Sequence, residues 1–247
     1  MNRELQEARK LARGIARITG PPIFYSEKKR EVDRSRRLFR SSPLVNKCLD
    51  LVKERKDGIG HGIVHVRKVA IDAGAISLVE ISTTHTGPED RRIVLLAHVA
   101  GVLHDIRRLE KDHARLSADE AGKLLARFDL PKREVEAITG AIGNHEAFQP
   151  AAPLEDPLAR FLSDALYDAD KFRWGPDNFT DMIWDMVEYR KASLDAVLKR
   201  FMKGMEGIER IRDTFRTVTG KTYGPDFIDR GIEIGMKFYT VMLQSKS

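Results

Sequence analysis

Helical periodicity constrains this chain more than any other feature. Along most of its 247 residues, apolar side chains recur at three- and four-residue intervals, which places them on one face of an α-helix. No segment shows the sustained apolar–polar alternation of a half-buried strand. The expected fold class is therefore all-α. Punctuation divides the pattern. Residues 2–18 form a basic amphipathic helix that stops at Gly20-Pro21-Pro22. Residues 26–40 are so highly charged that they read as an exposed helix or a mobile linker. Ser42 followed by Pro43 marks the start of a helix over about 43–56, and Gly58-Ile59-Gly60 breaks the chain after it. Further helices are expected over 62–81, from Gly87-Pro88 to about 105, from a capping box at Ser117–Glu120 to Phe128, and from Pro131 to His145. A Pro/Ala-rich loop at 149–157 precedes helices at about 157–169, 178–202, 205–217 and 225–244.

Composition narrows the function. The net charge of +6 favours anionic small molecules. Aromatic residues are only 7% and are not interleaved with the basic ones, so a stacking platform for single-stranded nucleic acid is not indicated. Cys48 has no second cysteine to pair with, which fits a reducing cytoplasm. No apolar run approaches the roughly 20 residues that span a bilayer, and the amino-terminal segment mixes charges where a signal peptide is apolar. The expectation is a cytoplasmic protein with no membrane partner; a homo-oligomer stays open.

The chemistry is concentrated in a His104–Asp105 pair at the end of the apolar run from Ile93. An imidazole beside a carboxylate at the end of a buried helix needs polar partners, and a metal ion satisfies both. Alone, such a pair is as readily solvated. Its companions are His65, after the glycine-rich break, and Asp170, at the end of Leu162–Asp170. Two imidazoles and two carboxylates on three helices make an open divalent-metal site of the kind built in helical bundles.

The order His65, then His104–Asp105, then Asp170 in Asp168-Ala169-Asp170-Lys171 resembles the HD-domain superfamily of metal-dependent phosphohydrolases. The resemblance covers about residues 44–175. It implies an HD-domain helical bundle, with residues 1–43 as an amino-terminal helical extension and 176–247 as a carboxy-terminal helical extension packing on the core. It also implies a divalent ion (Mn, Co, Ni, Mg, Zn or Fe) held by His65, His104, Asp105 and Asp170. The substrate is then a small phosphate ester, with a nucleotide as the expected class. Some relatives hold a second metal on extra histidines. His113 and His145 lie in that interval, but His113 follows the dyad by only eight residues, which argues against a tight two-metal site.

Substrate contacts are expected from His61, Arg107, Arg108, His113, His145 and Lys171. Arginine grips phosphate with two parallel hydrogen bonds, and the other side chains offer donors beside the ligands. For Arg107, Arg108 and Lys171, the alternative is a solvated residue stabilising a helix terminus. For His61 the alternative is a helix cap, and Gly62 replaces the glutamate that a zinc-protease motif needs. Glu146 reads as a surface acid, His98 as packing, and His85 as exposed. Two rival functions stand beside hydrolysis: an HD-fold di-iron oxygenase, and a non-catalytic nucleotide-binding signalling module.

Overall fold

The computed structural model describes residues 3–54, 62–82 and 88–245. Among these residues every regular element is helical, so the protein is all-α. The order is α1 (Arg3–Thr19), α2 (Phe24–Glu27), α3 (Lys29–Ser41), α4 (Pro43–Glu54), α5 (Ile63–Ser82), α6 (Pro88–Leu103), α7 (His113–Leu125), α8 (Lys132–Gly143) and α9 (Pro157–Lys171). A 3-10 turn (Phe172–Trp174) and a π-helical turn (Asn178–Met182) lead into α10 (Ile183–Tyr189), α11 (Leu194–Glu209) and α12 (Val218–Gln244).

Helices α5 and α6 form the centre. Both are apolar on nearly every side, the mark of a helix enclosed by others. α3 and α4 cover one side of the pair, and α8 and α9 cover the other. Gly101 sets how close the central pair comes: a Cβ there would lie 2.5 Å from the Cα of Ala70. That approach, one turn before the dyad, draws the end of α6 onto α5.

The carboxy-terminal helices pack on this core through aromatic side chains. Phe172 and Phe227 stack with centroids 4.0 Å apart, and Trp184 meets Phe238 edge-on at 5.6 Å. One hydrophobic cluster runs from Leu5 in α1 to Phe238 in α12. Trp184 and Met205 are core residues.

Four local readings change. The charged segment is not a linker: α3 buries Val32, Ser35 and Phe39, a narrow stripe that its charge density hid. Ser117 is not a cap. α7 begins four residues earlier, behind Asp112 at φ 59°, and the Ser117 hydroxyl accepts the Arg107 amide at 3.1 Å. The helix expected over 178–202 is broken after α10, where Lys191 adopts φ 50° and Ser193 caps α11 by accepting the Ala196 amide at 3.2 Å. The last helix starts at Val218, not at Pro225, because the Thr217 hydroxyl accepts the Gly220 amide at 2.7 Å and nucleates two turns before the proline.

Candidate metal centre

Three helix ends meet in the core. His65 sits in the first turn of α5. His104 and Asp105 follow the last residue of α6, in the turns that lead to α7, and Asp170 lies in the last turn of α9. All four are buried or nearly so: His65 is 7% exposed, His104 0% and Asp170 5%, while the Asp105 side chain is 4% exposed.

Their ligand atoms converge. His65 Nε2 lies 3.3 Å from His104 Nε2, 3.6 Å from Asp105 Oδ2 and 3.4 Å from Asp170 Oδ1. His104 Nε2 lies 3.4 Å from Asp105 Oδ2 and 3.6 Å from Asp170 Oδ1. Ligands about 2.1 Å from a tetrahedral ion sit about 3.4 Å from one another, which matches the spacing of the two imidazoles and of each imidazole from the carboxylates. His65, His104 and Asp170 form one set whose ligand atoms all lie within 4.8 Å of one another. Asp105 Oδ2 is buried and accepts no hydrogen bond. Such an orphaned carboxylate oxygen carries a large desolvation penalty that a cation removes.

Backbone carbonyls orient the imidazoles. His104 Nδ1 donates to the Gly101 carbonyl at 2.8 Å, and His145 Nδ1 donates to the Ile142 carbonyl at 2.6 Å. Each bond fixes the tautomer that leaves Nε2 as an electron-pair donor toward the cluster. On the far side of Asp170, Lys171 donates to Oδ2 at 2.5 Å and so turns Oδ1 to the histidines.

Electrostatics match this arrangement. Burial opposes charge on both aspartates, yet both carboxyls are held well below the usual range. His104 and Arg108 do this for Asp105, and Lys171 and His104 do it for Asp170. Burial likewise opposes charge on His104, but Asp105 and Asp170 outweigh it and push its pKa up to about 10. The two carboxylates thus demand a positive charge between the imidazoles, which a proton or a metal ion can supply. For His65 and His113, burial wins and lowers the pKa.

The other expected contacts divide. His145, two residues past α8, places Nε2 3.3 Å from Asp105 Oδ1 without a hydrogen bond, and His104, Asp105 and His145 form a second ligand set that overlaps the first. His113, the first residue of α7, brings Nε2 to 3.7 Å from the same oxygen. The short spacing therefore does not keep His113 away, because the turns between Leu103 and Asp112 fold it back onto the dyad. Arg108 also reaches the cluster, with Nη1 3.5 Å from Asp105 Oδ1 and 3.3 Å from His113 Nε2. Glu146 is more than a surface acid, standing 3.9 Å from His113 Nδ1.

Arg107 does not reach the cluster. Its guanidinium pairs with Glu110 and lies 3.9 Å from Glu120, on the far side of the turn. Lys171, expected as a phosphate clamp, is 3% exposed and is tied to Asp170, so its contribution is to orient that carboxylate. His98 is a packing residue, 0% exposed and 2.9 Å from the Ser35 hydroxyl. His61 and His85 lie outside the described residues. Sequence reasoning missed Gly101, whose signal was a lone glycine one turn before the dyad in an otherwise apolar helix. Scans of protein-family models, of curated proteins and of solved structures return no match to this chain, so the geometry of the His/Asp cluster carries the functional argument.

Proposed function

We propose that this chain is a metal-dependent phosphohydrolase of the HD type, cleaving a phosphate ester of a small molecule, with a nucleotide as the substrate class. One observation carries the reading. The two imidazole nitrogens of His65 and His104 lie 3.3 Å apart and 3.4–3.6 Å from an oxygen of Asp170 and from an Asp105 oxygen that accepts no hydrogen bond. His65, His104, Asp105 and Asp170 would hold the ion. When bound, a divalent ion supplies an acidified water as nucleophile and polarises a phosphoryl oxygen.

The chain's own residues supply the rest. Lys171 and the Gly101 carbonyl lock Asp170 and His104 in their liganding orientations. The ligands are buried, whereas the side chains of Arg108 and Glu146 are 38% and 35% exposed and that of His113 is 15% exposed. The phosphoryl group therefore enters along Arg108 and His113. The Arg108 guanidinium there can bind two phosphoryl oxygens and stabilise the charge that builds on them. A cytoplasmic location belongs to the same proposal, supported by the lone buried Cys48 and by the lack, among the described residues, of a helix long and apolar enough to cross a membrane.

The test is metal content of protein purified without added metal, followed by phosphate release from a panel of nucleotides and phosphate esters with Mn, Co, Ni, Mg, Zn and Fe. Failure to release phosphate with any ion, from protein shown to hold it, overturns the proposal. A second reading has one observation in its favour: His113 and His145 flank the outer oxygen of Asp105, as a second ion would require. Two irons per chain with a mixed-valence spectroscopic signal would favour a di-iron oxygenase over the hydrolase.

A further inference from the structure

We infer that the cleft between α1, α3 and α5, floored by the segment that follows α9, is a second ligand site, for a phosphorylated small molecule of nucleotide size. The cleft encloses about 650 Å³, within the range of small-molecule sites. None of the metal-centre side chains lines it. The inference therefore does not rest on the metal reading.

Charge selects the ligand. Arg13 and Arg17, one turn apart on α1, form one edge, and Arg36 of α3 and Lys68 of α5 also line the cleft. With Arg173, five cationic side chains face two acids, Asp72 and Asp177. Both acids are already engaged. Asp72 accepts from the Tyr25 hydroxyl at 2.8 Å and pairs with Arg173, and Asp177 accepts from Lys68 at 2.7 Å and pairs with Arg173.

The edge keeps donors to spare. Arg13 uses Nε on the Thr180 carbonyl and one terminal nitrogen on Asp181, and Arg36 uses one terminal nitrogen on Asp33. Arg17 has no ion-pair or hydrogen-bond partner among the described residues. Guanidinium groups with free donors, focused by low-dielectric walls, are a phosphate site.

The walls set the rest of the ligand. Pro22, Ile71 and Pro176 give the cleft apolar sides on which a flat ring can lie. The floor is rigid, because Arg173 is 3% exposed and bonds to Tyr25, Asp72 and Asp177 at once. The expected ligand pairs a ring with one or more phosphates.

Calorimetric titration of the full chain, stripped of metal by a chelator, tests the site with ADP, pyrophosphate and adenosine. ADP is expected to bind once per chain without metal, about tenfold tighter than either fragment. The double substitution Arg17→Glu/Arg36→Glu is expected to weaken ADP by about tenfold or more, with an unchanged circular dichroism spectrum. Arg108→Ala, at the metal centre, is expected to shift it less than about twofold. If the double variant folds poorly, Arg17→Ala alone is expected to weaken ADP about threefold. The inference is overturned if millimolar ADP gives no binding, if the edge variants bind as tightly as the parent, if ADP shows no advantage over both fragments, or if Arg108→Ala abolishes binding. None of these results bears on the metal content that tests the proposed function.

Discussion

His98 lies in α6 and His104 just beyond its last residue, and both are fully buried. They nevertheless carry opposite electrostatics. His98 sits against Phe39 and the Ser35 hydroxyl, with Gly74 leaving room for its ring, and burial pushes its pKa down to about 3. His104 lies between Asp105 and Asp170, which outweigh the same burial and push its pKa up to about 10. A buried histidine is thus not a site in itself. Converging carboxylates turn one into a cation seat, and their absence leaves the other as a neutral packing group.

The largest effect that would break this contrast is removal of the carboxylate. Asp105→Ala is expected to abolish stoichiometric metal binding and to lower any phosphate release by about 10³-fold or more. As a proposed ligand, Asp105 is not part of the apolar core, so the helical circular dichroism is expected to persist. Retention of one tightly held ion by this variant, measured by mass spectrometry of the desalted protein, would refute the assignment of Asp105.

Gly101→Ala is expected to act on both histidines through α6, which carries His98 and leads into His104. The new methyl would press on the Ala70 backbone and push α6 off α5, which moves the His104 Nδ1–carbonyl bond along with the helix. A loss of about 2–3 kcal/mol in stability is expected, with metal affinity falling about 10- to 100-fold. Urea unfolding and competitive chelation measure the two effects. Unchanged metal affinity in a destabilised variant would show that the helix spacing serves packing alone.

These residues also show how far the sequence could be read. The candidate ligands stood out because histidine and aspartate are rarely placed in apolar helix ends without a partner. Their mutual geometry, by contrast, depended on Gly101 and on two backbone carbonyls, and a carbonyl has no letter in the sequence. Arg107 and Arg108 looked equivalent for the same reason. Adjacent residues in a turn point apart, and only the turn's path decides which faces the cluster. The helix ends at Tyr189 and Val218 were hidden by a positive φ at Lys191 and by a Thr217 cap that overrode Pro225.

The contrast also predicts opposite pH dependences in metal-free protein. The folded pKa of His98 is depressed below its unfolded value near 6.5, so its contribution is complete above that value and is lost as pH falls toward 3. From pH 7 to pH 5 the loss is on the order of 2 kcal/mol. The folded pKa of His104 is raised, so its contribution is complete below about 6.5 and is lost as pH rises through about 10. In metal-free protein the slope of the unfolding free energy across pH 5–7 is expected to fall in His98→Gln, with the part due to His65 and His113 remaining. A slope as steep as the parent's would show that another group carries the acid sensitivity.

The smallest expected effect separates the two arginines that follow the dyad. Arg107→Ala removes a part-exposed pair with Glu110 and is expected to change stability by less than about 0.5 kcal/mol, with phosphate release unaffected. Arg108→Ala is expected to leave metal content intact and to lower kcat/KM about 10- to 100-fold, because it removes a guanidinium that stands 3.5 Å from Asp105 on the proposed path of the phosphoryl group. The pair sharpens the histidine comparison. In both cases, neighbouring residues of one chemical type are told apart by whether an oxygen of Asp105 lies within reach. Equal losses in the two variants would mean that distance to Asp105 does not decide function in this segment, and the entry path along Arg108 and His113 would have to be redrawn.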